Sequence, residues 1–213
     1  MGWDYSLGNP IDLAKASSRT FLDELLLRYP REALLTCALC FGVTFLLFAS
    51  LSPNALPNGD AAVYLQQIEN HDFSSRSVHV GYYLLGVVFT SLLPGPNDYA
   101  LNLMSGFFGA GTISLIYLMG YSITRSRLAA ILASLFLATN YLFVFNAIYA
   151  EVYVVHTFFI ILAWFLWLFQ RPVLTGLSFI VAFLVTPTAL FAAPSLIILR
   201  PEPRSLAILG ATV

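Results

Sequence analysis

Long apolar runs separated by short polar breaks dominate the chain. Ala33–Leu51, Leu101–Tyr121, Leu128–Phe145 and Val152–Phe169 each read as one membrane-crossing helix, because about 20 residues rising 1.5 Å each cross a hydrocarbon core of roughly 30 Å. His79–Leu93 is apolar but only about 15 residues long, short for a crossing. Val173–Leu199 is interrupted by Pro187 and Pro194, so it reads as a broken hairpin turning near Pro187 in preference to a single span. A further apolar stretch, Leu206–Val213, ends the chain.

Two segments carry a mixed pattern. Ile11–Tyr29 places Ile11, Ala14, Phe21, Leu22, Leu25 and Leu26 near one face and Lys15, Arg19 and Arg28 elsewhere, which predicts an amphipathic helix, either lying on the membrane surface or a solvated leader with no role, ended by Pro30. The polar stretch Ser52–Ser77 contains a second helical pattern, Asp60–Asn70, with Gly59 before it. The fold class that follows is all-α: a polytopic transmembrane helix bundle of about five to seven membrane segments, with amphipathic juxtamembrane helices in the first outer loop, residues 52–99. A cytoplasmic leader, residues 1–32, precedes the helical domain, residues 33–213.

Composition sharpens this picture. Of the 213 residues 59% are hydrophobic and 10% charged, whereas a soluble domain carries about 25% charged residues. The apolar excess must face lipid. A net charge of −1 provides no field to hold nucleic acid, and that class is excluded. Lys15, Arg19, Arg28 and Arg31 place the N-terminus in the cytoplasm. If His79–Leu93 lies along the outer face and does not cross, Arg125, Arg127 and Arg171 also fall inside. Ser52–Tyr99 and Asn146–Glu151 then share the outer side of a bacterial inner membrane or an ER-type membrane.

The cysteines, Cys37 and Cys40, have redox spacing but lie inside an apolar run with no second pair, and read as small lipid- or helix-facing residues. Ser105, Gly106, Gly109, Ala110 and Ser114 form a small-residue ladder, as do Ala130, Ser134 and Ala138, suited to close helix packing. Acidic residues at a membrane boundary mark function or pairing. Asp60 heads a helix, where the dipole favours a carboxylate; it reads either as a proton acceptor or as an ordinary helix cap. Glu151 reads either as a second functional carboxylate or as a partner of Arg76 or a tyrosine. Arg76 suits a lipid phosphate or a generic interfacial anchor, and His79 a structural or a catalytic role. No metal-ligand spacing, phosphate-cradling glycine loop or Ser/His/Asp signature occurs.

These segments together resemble a known family. Gly59-Asp60-Ala61-Ala62 opens a surface helix after the first span, followed by His79-Val80-Gly81-Tyr82-Tyr83-Leu84-Leu85-Gly86, Leu101-Asn102-Leu103-Met104-Ser105-Gly106 and Tyr149-Ala150-Glu151-Val152-Tyr153. Their order resembles the N-terminal half of the GT-C membrane glycosyltransferases, nearest the protein O-mannosyltransferase-like branch, over about Leu34–Leu199. The resemblance implies a polyprenyl-phosphate-linked sugar donor and inverting transfer to an acceptor hydroxyl at the outer membrane face. It implies Asp60 as catalytic base and Glu151 as a second acidic residue that orients the acceptor or assists a divalent cation. Arg76, His79, Tyr82 and Tyr153 become substrate-binding positions.

The pattern also departs from that family. Val80 stands where the family's histidine motif has a proline, and Ala62, Val63 and Tyr64 follow Asp60 where a second acidic residue is common. Such enzymes are longer, so the resemblance implies either part of a longer chain or a shortened relative. A different class is therefore expected as the alternative: a non-catalytic GT-C-like membrane subunit, packed by its lipid-facing helices against other membrane subunits.

Overall fold

A computed structural model describes residues 25–27, 29–53, 60–72 and 79–199. Among these residues every regular element is helical. Helix α1 is Arg31–Leu51, α2 Asp60–Asn70, α3 Val80–Leu92, α4 Asn97–Thr124, α5 Arg127–Ala138, α6 Tyr141–Ile148, α7 Val152–Leu168 and α8 Pro172–Val185. A 3₁₀ turn, Pro187–Ala192, and a short helix α9, Ala193–Leu199, follow. The expected leader Ile11–Tyr29 lies outside the described residues except at its end, where Leu25–Leu27 are helical. Pro30, extended at φ −62°, opens α1, so the first apolar helix begins at Arg31, ahead of the expected Ala33.

Helices α1 and α4 are each long and apolar enough to cross a membrane, and the bent pair α5–α6 makes a third candidate. Helix α4 is the central post, packed by α1, α5, α6, α7 and α3. Its small residues explain that role. A Cβ on Gly109 would lie 2.8 Å from the Ala147 Cβ of α6 and 3.2 Å from the Phe48 ring of α1. The Ser134 hydroxyl of α5 donates to the Ile113 carbonyl of α4 at 3.3 Å. In contrast Leu35, Leu39, Val43 and Leu46 of α1 and Leu128, Leu132 and Phe136 of α5 are exposed, an outward apolar face suited to lipid.

The expected span Leu128–Phe145 is bent in the structure: the chain turns by 67° between α5 and α6. The cause is local capping. The Thr139 hydroxyl donates to the Leu135 carbonyl as α5 ends, and the Asn140 side chain accepts from the Phe143 N–H as α6 begins. Helix α6 then runs to Ile148, leaving Tyr149–Glu151 as the break in place of the expected Asn146–Glu151.

The Val173–Leu199 run does break at Thr186–Pro187, and the chain folds back beyond it. Trp164, three turns into α7, donates its indole N–H to the Ser195 hydroxyl at 2.9 Å. Leu196 packs in one cluster with Ile160, Trp167 and Phe179. At the opposite end from the α7 N-terminus, Tyr29 donates to the Leu118 carbonyl at 3.1 Å and stacks on Phe169, while Arg127 pairs with Glu32.

Candidate functional site

Three helices start at one place. Asp60 is the first residue of α2, His79 precedes α3 and Glu151 precedes α7. Neither His79 nor Glu151 caps its own helix with its side chain. Helix N-termini carry unpaired N–H groups and positive partial charge, so this convergence favours carboxylates and other anions.

Asp60 is exposed, and Glu151 is half-buried. Burial first, and the charge of Asp60 second, hold the Glu151 carboxyl above its ordinary 4.5. The two carboxyl groups named from sequence are therefore electrostatic neighbours. Tyr64, one turn beyond Asp60 on the buried face of α2, lies between them. Burial raises its phenol above the ordinary range, and the charges of Asp60, Glu151 and Tyr153 add to that.

The Tyr64 ring joins the rest of the cleft. It meets the His79 ring edge-on at 5.6 Å and the Tyr82 ring at 5.0 Å. His79 Nδ1 donates to the Val185 carbonyl at 2.6 Å, an acceptor that fixes the proton on Nδ1. The His-x-Gly-Tyr order thus has a structural basis. His79 ties the start of α3 to the end of α8, and Gly81 permits the approach, because a Cβ there would lie 2.8 Å from the Val185 nitrogen. Tyr82 is fully buried, and its hydroxyl makes no close hydrogen bond, with the Ser105 hydroxyl as the side chain that interacts with it. Leaving a buried hydroxyl unpaired costs about 1–3 kcal/mol.

Of the residues named from sequence, the structure brings Asp60, Glu151, His79, Tyr82 and Tyr153 together around Tyr64, with Tyr153 57% exposed. Arg76 lies outside the described residues. Among the described residues no three His, Cys, Asp or Glu side chains converge as a cation site, so two carboxylates are all this cleft offers a divalent ion.

Tyr64 and Ser105 were not singled out as site residues. Tyr64 was legible as the position one turn after Asp60, whereas Ser105 was hidden in a ladder of packing residues. Its hydroxyl accepts the Glu151 backbone N–H at 3.4 Å. His156 of α7 also escaped notice, a histidine in an otherwise apolar helix, with its Nε2 buried and unpartnered.

No protein-family model matches the chain, and no solved structure matches it. A protein of Aquifex aeolicus (strain VF5), described as an uncharacterized protein, is similar to it: 29% identical over 120 residues, 56% of this chain. The match covers only 23% of that relative's length.

Proposed function

We propose that the protein is a multi-pass membrane glycosyltransferase of GT-C type, moving a sugar from a polyprenyl-phosphate carrier to an acceptor hydroxyl at the outer membrane face. The observation that carries this reading is the meeting of Asp60 and Glu151 at three converging helix N-termini. Asp60, exposed and reachable, takes the proton of the acceptor hydroxyl. The oxygen then attacks the anomeric carbon from the face opposite the carrier. The bond from that carbon to the phosphate oxygen breaks, the polyprenyl phosphate leaves, and the sugar inverts. The helix N-termini favour the phosphate, and the tyrosines wall the cleft.

In this reading α1, α4, the α5–α6 pair, α7 and the α8 hairpin sit in the membrane, while α2 and α3 lie along its outer face. Arg31, Arg125, Arg127 and Arg171 then share the cytoplasmic side.

The test is transfer from polyprenyl-phosphate mannose to hydroxyl acceptors by the full chain in lipid nanodiscs, with Asp60→Asn beside the wild type. Loss of transfer in a folded Asp60→Asn protein is the expected result. Undiminished transfer in that variant overturns the role of Asp60. A wild-type chain with no transfer that co-purifies with unrelated membrane subunits supports the non-catalytic subunit instead.

A further inference from the structure

Hydroxyls on these helices follow a common habit, donating to the carbonyl one turn back. Thr90 donates to Gly86, Thr112 to Phe108, Ser114 to Ala110, Ser134 to Ala130 and Thr175 to Arg171. Ser105 makes no such bond. It is fully buried, and its oxygen accepts the Glu151 N–H at 3.4 Å, which leaves its own proton uncommitted. The Tyr82 hydroxyl is also fully buried and makes no close hydrogen bond, and the Ser105 hydroxyl is the side chain that interacts with it. Two buried hydroxyls thus stand together at Glu151, with neither proton given to a carbonyl. Buried polar groups are nearly always paired, so this arrangement requires an explanation.

We propose that Tyr82 and Ser105 are positioning residues for Glu151: when the Glu151 carboxyl ionises, the Ser105 hydroxyl donates to the carboxylate, and the Tyr82 phenol donates to the Ser105 oxygen. Ser105 then grips Glu151 twice, through its backbone N–H and through its carboxyl. The start of α7 is thereby fixed to α4 and α3. This rests on the reading of the cleft as the site of transfer, with Glu151 orienting the acceptor. The groups facing Glu151 are Asp60 and Tyr64 of α2 and Tyr82 of α3, with Tyr153 of α7 next in line through Tyr64.

The test follows the Glu151 carboxyl directly, by infrared pH titration of the full chain in nanodiscs, with Glu151→Gln to assign the band. Hydrogen bonds donated to a carboxylate favour its charged form. Tyr82→Phe, which keeps the ring, and Ser105→Ala are therefore expected to raise the Glu151 midpoint by about one pH unit. Ser105→Thr, which keeps the hydroxyl, is expected to restore it. Unmoved midpoints in both Tyr82→Phe and Ser105→Ala overturn the proposal, as does failure of Ser105→Thr to restore the wild-type value.

The titration needs no transfer activity, so the two readings fail separately. Shifted midpoints in a chain that transfers no sugar would remove the glycosyltransferase reading and keep the positioning pair. Active chain with unmoved midpoints would remove the pair alone.

Discussion

Glu151 faces Asp60 across the cleft, and the Asp60 charge adds to burial in holding the Glu151 carboxyl above 4.5. A carboxyl raised in the folded state binds its proton more tightly there than in the unfolded chain. The stability this contributes is complete below about 4.5 and is lost as pH rises through the folded value. Glu151→Gln is expected to reduce that loss, seen as a shallower fall of melting temperature with pH across the same window. A pH slope identical to that of the wild type would contradict it.

Asp60→Asn removes the second cause and leaves the first. The Glu151 midpoint is expected to fall toward 4.5 without reaching it, because burial remains the larger contribution. Infrared titration of the variant reads this. An unchanged midpoint would place the two carboxyls too far apart to interact.

Gly81 lets α3 touch the backbone of α8, where a Cβ would lie 2.8 Å from the Val185 nitrogen. Backbone cannot swing aside as a side-chain tip does, so Gly81→Ala is expected to destabilise by about 1–3 kcal/mol. It also pushes His79 from the Val185 carbonyl. Thermal unfolding in detergent, beside Gly42→Ala with open space around its Cβ, gives the comparison.

Asn140 caps α6 by accepting the Phe143 N–H at 3.1 Å. Asn140→Ala is expected to cost about 1 kcal/mol, and Asn140→Asp to keep most of it. Equal stability of the alanine variant and the wild type would show that the bend is held elsewhere.

Tyr153 and Ser126 lie at opposite ends of the bundle in the proposed arrangement, and both are exposed. Tyr153→Cys is expected to react with a membrane-impermeant thiol reagent in intact cells, and Ser126→Cys only after permeabilisation. Labelling of both from the same side would overturn the orientation.

By itself the sequence determined the kind of molecule and most of its helices. Apolar runs that water would not tolerate announce α1, α4 and α7, and the mixed pattern of Asp60–Asn70 gives α2 with its observed bounds. Pro187 announces the break after α8, since proline removes a backbone donor and blocks the preceding turn. The bend at Thr139–Asn140 was hidden, because two polar residues inside an apolar run signal an end only when their side chains turn back to cap. Tertiary structure alone decided what meets. Sequence names Asp60 and Glu151, but their proximity depends on how α2 and α7 pack about α3 and α4. Ser105 shows the same limit. As a residue type it is a small packing group, and only its place beside Glu151 and Tyr82, with a proton left unused, gives it another role.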